Sequence, residues 1–161
     1  HMRFAGTLSL PEPVFQQLLE YAARSARVHG FRDIVFIGDS GGNQAGQSAV
    51  AATLSAEWAG SGVRVHAIPG FYRGDQEGDF ALLYARGFTK DETGNHADLV
   101  DTSKMLAIDP SMVRISKAAA GTPQNGIVGD PRRSTAEVGR LLLDRIVART
   151  VSLINTALAA R

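Results

Sequence analysis

The sequence predicts an α/β fold on a mainly parallel sheet, and three observations carry that prediction. Asp33-Ile34-Val35-Phe36-Ile37 is a short, β-branched and aromatic run that reads as a strand buried on both faces. A glycine turn and an Ala-rich helical segment follow it, and a second β-branched run, residues 63–68, comes next. Strand, turn, helix and strand in this order make the right-handed crossover of a parallel sheet, so the two strands are expected to be neighbours. The 161 residues are 44% hydrophobic and 20% charged, which suits a single domain over residues 1–161 with its own core.

The other elements follow in chain order. Ser9-x-x-Glu12 reads as a capping box, with Pro11 and Pro13 in a first turn where a missing N–H is tolerated. Val14, Leu18, Ala22 and Ala26 beside Phe15 and Leu19 give that helix a packing stripe, and Gly30 supplies its left-handed stop. Residues 38–42 turn the chain after the first strand. A second helix over residues 43–59 has Asn43 at its N-cap and Ala45, Ala49 and Leu54 as inner positions, with Gly60 and Gly62 ending it. Residues 69–95 are dense in glycine and charge and read as a functional loop, helical only over residues 80–85. Asp98 is expected to cap a short helix that Asp109-Pro110 stops near Ile108. Ser134-x-x-Glu137 starts a last helix whose Val138, Leu142, Ile146 and Leu153 would cover a sheet face.

Charge and composition exclude several classes of function. Seventeen Lys and Arg against sixteen Asp and Glu leave a net charge of +1, and Arg132-Arg133 is the longest basic run, so neither nucleic acid nor an anionic membrane is an expected partner. No apolar stretch has the roughly 18 residues of a membrane span, and the start carries no signal-peptide pattern, which points to the cytoplasm. The absence of cysteine removes cysteine zinc sites, thiol nucleophiles and disulfides together. His1-Met2 reads either as the scar of a tag or as the point where a longer chain was cut.

The motif that draws chemistry is Gly38-Asp39-Ser40-Gly41-Gly42, after a buried strand and before a helix, where backbone N–H groups face the ligand side of an α/β sheet. Its letters match the serine segment of trypsin-like proteases, but those are all-β, with His and Asp both upstream; here only His1 and His29 precede Ser40. Its G-x-S-x-G spacing matches a nucleophile elbow, which demands a later acid and then a later histidine. The last histidine is His96, so a metal-independent serine hydrolase using Ser40 and His96 stays open. The GDS block of SGNH esterases comes with a terminal D-x-x-H that this chain lacks.

Three separated segments together resemble the creatininase (creatinine amidohydrolase) family. Residues 34–43, ending Gly38-Asp39-Ser40-Gly41-Gly42-Asn43, are similar to its N-G-H-G-G-N after a buried strand. His96-Ala97-Asp98-Leu99-Val100-Asp101-Thr102-Ser103-Lys104-Met105-Leu106-Ala107 resembles its H-A-G-x-x-E-T-S-x-M-L-A. Gly126-Ile127-Val128-Gly129-Asp130-Pro131 resembles its G-x-x-G-D-P turn. The resemblance runs from about residue 8 to the end and implies a three-layer α/β/α sandwich that hydrolyses the C–N bond of a small-molecule amide, using zinc or manganese to activate water.

In that comparison Ser40 stands at a ligand histidine and Asp101 at the glutamate of E-T-S, one methylene shorter. Asp101 is the matching metal ligand, His96 matches a proton-transfer histidine, and Gly41, Gly42, Asn43 and Tyr72 are expected to bind substrate. The family's early E-x-H motif is absent, and the sequence starts where the family's first third has ended. The expectation is therefore a divergent, depleted metal site, no stoichiometric metal on this chain alone, and a homo-oligomer in which a companion N-terminal segment could add a strand. A non-catalytic binding or assembly subunit is the further alternative. Read without the resemblance, Ser40 is a turn residue, Asp98 and Asp101 are a cap and a first-turn acid, and Asn43 is an N-cap.

Overall fold

In the computed structural model, which describes residues 2–4 and 6–160, the chain forms two compact units. One comprises residues 8–74 and 149–160, the other residues 75–148 with the described residues before Leu8. His1, whose origin the sequence leaves in two readings, lies outside the described residues.

The first unit runs α1 (Glu12–Val28), β1 (Asp33–Phe36), α2 (Gln44–Glu57), β2 (Arg64–Ala67) and α3 (Gly70–Arg73). β1 and β2 pair in parallel, Asp33 opposite Arg64 and Phe36 opposite Ala67, with α2 between them in sequence as the crossover pattern requires. Among the described residues the sheet has two strands. Each strand alternates: Phe36 and Val65 are buried in the core while Ile34 and Ala67 pack against it. Val35, Ile37 and His66 point the other way, along with Asp33 and Arg64, whose side chains meet at 2.9 Å. β1 is only partly buried, with Asp33 exposed and Ile34 and Val35 half-buried, and Ile37, just beyond it, is 49% exposed.

The helix faces also differ from the sequence reading by one residue. Phe15, Leu19 and Ala23 are the inward positions of α1, while Val14, Leu18 and Ala22 are exposed. The cause lies across the interface: Gly46 of α2 leaves a notch filled by Phe15, so near that a Cβ at Gly46 would stand 3.0 Å from its ring. In register with that notch, α2 buries Gly46, Gln47, Val50, Ala51 and Leu54, and turns Ala45 and Ala49 to solvent. α1 starts at Glu12 with Pro11 as N-cap and no side-chain capping bond. Leu10 precedes a proline and is biased to extended backbone, so a Ser9 cap cannot form; Glu12 instead accepts from Gln16 at 3.1 Å. Trp58 closes this core, 2% exposed, with the Arg27 guanidinium 4.7 Å from its ring and its indole N–H on Glu57. Glu57 in turn accepts two bonds from Arg24, at 2.7 and 2.6 Å, tying α1 to α2.

The second unit contains α4 (Gln76–Tyr84), α5 (Leu99–Ile108) and the first half of α6 (Ala136–Ala159), with Leu83, Leu99, Val138 and Leu142 as its core. Part of the expected loop over residues 69–95 is thus helical, as α3 and α4. Three of its acids are paired: Arg145 bonds both Asp75 and Asp79, Asp79 is buried, and Glu92 pairs with Arg133. α5 ends at Asp109 before Pro110, as predicted. The cap of α6 is Thr135, whose hydroxyl accepts from Val138 N–H at 3.2 Å; Ser134 instead donates to the Leu99 carbonyl. Val138 and Leu142 serve this core and not a sheet. The part of α6 in the sheet unit places the Leu158 and Ala160 carbonyls on the Arg64 guanidinium, at 3.0 and 2.6 Å.

Candidate functional site

The residues singled out by the sequence divide between the units: Ser40, Gly41, Gly42, Asn43 and Tyr72 in the one with the sheet, His96 and Asp101 in the other.

In the sheet unit, β1 ends at Phe36 and the chain turns at once, because Gly38 has no Cβ. A Cβ there would collide with the amide of Gln47, a residue only 4% exposed. Ser40 is extended, at φ −145° and ψ 135°, and caps a 3₁₀ turn, Gly41–Asn43, that leads into α2. Its carbonyl accepts the Asn43 N–H at 3.1 Å and the Gln44 side-chain amide at 2.8 Å, and Gln44 also reaches the Gly38 carbonyl at 2.8 Å. Asn43 occupies the N-cap of α2 without a side-chain capping bond, so Gln44 holds the turn instead.

The Ser40 hydroxyl makes no capping bond either, and Ser40 and Gly42 are exposed. Tyr72, from α3, lays its ring on Gly41, where a Cβ would stand 3.3 Å from Cε1 and 3.4 Å from the hydroxyl. The turn residues and Tyr72 therefore meet at one place, thirty positions apart in sequence. Gln44 and Gln47 were missed by the sequence reading. Two amides in the first turns of an otherwise Ala-rich helix were the available signal.

In the other unit, the N-terminus of α5 is built on Asp98. Its carboxylate is 2% exposed and accepts Asp101 N–H at 2.8 Å and Gly94 N–H at 2.6 Å, capping the helix and fastening the preceding turn. His96 pairs with Val128 in an antiparallel bridge, its carbonyl accepting Val128 N–H at 2.9 Å, so the G-x-x-G-D-P-like segment supports the histidine's backbone. Ala97 then takes φ +49°, a left-handed conformation costing a non-glycine residue about 1–2 kcal/mol. Its N–H donates to Asp101 Oδ2 at 3.2 Å, and its carbonyl accepts from Thr102 at 3.3 Å, which holds it there. His96 and Asp101 thus share one helix end.

Burial and the neighbouring Asp98 charge push the Asp101 carboxyl above the usual carboxylate range, against the pull of Lys104, the Ala97 N–H and His96. The sign of the consequence is fixed. An acid whose folded pKa is raised makes the folded state bind more protons, so its penalty appears as pH rises from the unfolded value through the folded one. Asp101→Asn keeps an acceptor for Ala97 and removes that penalty, so the stability of the variant relative to the parent should rise with pH over the acid range in which the parent's carboxyl ionises. The gain should be below about 1 kcal/mol, because the side chain is half exposed. Urea titrations of both proteins across that range measure it.

Glu92, an acid between Ser40 and His96 in the chain, has a structural role, and so does His66. Glu92 is 8% exposed and accepts from Thr89 N–H, Thr89 Oγ1 and Arg133 Nη1, at 2.7, 2.9 and 3.1 Å. His66 Nε2 lies 3.0 Å from Asp33, which Arg64 also holds. Among the described residues no three His, Cys, Asp or Glu side chains gather as a metal-binding group, and no helix is long and apolar enough to cross a membrane.

Comparison with known proteins adds an independent line. The creatinine amidohydrolase family profile matches residues 1–154. Mycofactocin precursor peptide peptidases of Mycobacterium tuberculosis strains CDC 1551 and H37Rv are each 31% identical over 152 residues, 91% of this chain. The chain spans 57% of the length of these curated relatives. A crystal structure of creatinine amidohydrolase superposes with a TM-score of 0.77 at 20% identity, over 98% of this chain and 68% of that one. A manganese creatininase gives 0.76 at 20% identity, over 96% and 67%. A mutant creatininase of Zn–Zn type gives 0.77 at 20%, also over 96% and 67%. The α/β fold is shared with these structures, two of which are described as zinc and manganese forms.

Proposed function

Because the chain belongs to the creatininase family, we propose that it is a divergent member of an amidohydrolase family, directed at the C–N bond of an amide, whose own residues supply substrate-binding and proton-transfer groups but do not complete a metal site, so that this chain alone turns over little. The observation that carries this reading is the turn at Ser40. A hydroxyl stands where the family motif has an imidazole ligand, while the exposed Gly41 and Gly42 and the half-buried Asn43 and Tyr72 lie around it.

The donors do not fit a divalent cation. A neutral serine hydroxyl is a weak ligand for zinc, whereas catalytic sites ordinarily use about three nitrogen, sulfur or carboxylate donors. Asp101 gives one oxygen to Ala97 N–H and keeps the other 4.0 Å from Lys104, and Asp98 spends both oxygens on backbone N–H groups. No step is therefore routed through a metal. In this reading the hydroxyls of Ser40 and Tyr72 are groups for binding an amide, and His96 is the residue that the family motif assigns to proton transfer. The reading takes residues 1–161 as one functional domain and the protein as cytoplasmic and homo-oligomeric. It is supported there by the cysteine-free composition and by the apolar Val14, Leu18 and Tyr21 exposed on α1.

The test is a titration. After dialysis, the chain should hold well under one equivalent of zinc or manganese and show little amidohydrolase activity, and Ser40→His should add one donor without restoring tight binding. About one equivalent of zinc bound tightly at neutral pH, and lost on Asp101→Ala, overturns the reading. Covalent labelling of Ser40 by a fluorophosphonate would replace it with the serine-hydrolase mechanism.

A further inference from the structure

A groove lies on the exposed side of α5, beside the helix end that carries Asp101 and entirely within the unit of residues 75–148. The start of α5 and the chain after it, residues 112–118, enclose an open groove of about 550 Å³, in the size range of small-molecule sites. Met105, Met112, Ile115 and Ile127 give it an apolar lining. Three of them are unusually bare for such side chains: Met112 is 69% exposed, Ile115 41% and Met105 36%. Methionine and isoleucine gathered in a concave surface and left wet are a binding feature, since scattered surface residues do not share a cavity.

The charges at the groove give the ligand its class. Arg114 and Lys117 both line it, and among the described residues neither side chain has a hydrogen-bond or ion-pair partner. Arg24, Arg64, Arg132, Arg133 and Arg145, by contrast, are each paired with an acid. Asp101, the acid in the lining, already accepts from Ala97. Two unpaired cations beside an apolar hollow complement a molecule with an apolar body and a terminal anion, and Asp101 rejects the reverse orientation.

We infer that this groove binds a small amphipathic carboxylate, its apolar body against Met105, Met112 and Ile115 and its carboxylate on Arg114 and Lys117. This concerns binding and does not depend on the hydrolytic reading: failure of turnover leaves it standing, and its failure leaves the Ser40 turn untouched.

The experiment is a methyl-detected NMR titration of the full chain with 4-phenylbutyrate and with its primary amide, which has the same body and no charge. The acid should shift the Met105, Met112 and Ile115 methyls with a dissociation constant on the order of 1 mM, at least about fivefold tighter than the amide. High salt should erase the difference. Arg114→Gln with Lys117→Gln, both at exposed positions, should bring acid and amide to equal affinity, whereas Asp101→Asn should bind the acid as well or better. A tripeptide ending in phenylalanine with a free C-terminus tells whether the carboxylate is a peptide's end or a free acid, according to which binds tighter. Equal affinity of acid and amide in the parent protein, shifts elsewhere in the chain, or no shifts at all would overturn the inference.

Discussion

Asp98→Ala is expected to lower folding stability by about 3 kcal/mol, the combined loss of a helix cap and of a buried charged acceptor serving two N–H groups. The side chain is 2% exposed, so water cannot take its place without opening the turn. Urea unfolding followed by circular dichroism should show the midpoint fall with an unchanged slope. A second readout separates this from a generic core defect. Asp98 is one of the causes that raise the Asp101 carboxyl, so in Asp98→Asn, which keeps one acceptor, Asp101 should titrate closer to an ordinary carboxylate by carbon-detected NMR. A loss under about 1 kcal/mol would place the cap of α5 elsewhere.

The second large effect is expected at Gly129. Its φ is +125°, and a Cβ would stand 2.6 Å from the Asp98 Cβ and 3.0 Å from the Glu92 carbonyl oxygen. Gly129→Ala therefore combines backbone strain of about 1–3 kcal/mol with overpacking of similar size, and should cost about 3 kcal/mol or more. The damage has a direction. Gly129 follows Val128, whose backbone bridges His96, so the displaced turn should release the histidine. The His96 ring resonances should broaden or move in the variant, while those of His66 stay fixed. An alanine tolerated with no change in midpoint would show that the segment can relax away from Asp98.

The sequence exposed those parts of the architecture governed by local chemistry. The βαβ order, the Asp98 cap, the Asp109-Pro110 stop and the left-handed glycines Gly30, Gly60 and Gly62 depend on neighbours in the chain, and each is where it was expected. Helix faces depend on partners. Nothing in α1 alone distinguishes the stripe starting at Val14 from the one starting at Phe15, because both repeat every four residues; only the notch at Gly46 decides. The same holds for residues 69–95, read as a functional loop from their glycine and charge, where Asp75 and Asp79 find their partner in Arg145 some seventy positions later. Tyr72 could be chosen from sequence as an aromatic in a glycine-rich stretch, but its seat on Gly41 is a property of the fold. Gln47 was invisible because a buried amide in a helix carries no periodic mark.

Trp58 is the sole tryptophan in the chain, and it is enclosed in one hydrophobic core while Leu83, Leu99 and Leu142 make the other. That distribution gives the protein a built-in optical asymmetry. Its indole emission follows only the melting of the core around α1, α2 and the sheet, whereas far-ultraviolet dichroism sums every helix in both units. Arg24 and Arg27 lie over the indole, so loss of that core should shift the emission to the red as the ring enters water. Superimposed fluorescence and dichroism curves would then identify one cooperative transition, and separated midpoints two, from an unlabelled sample in a single cuvette.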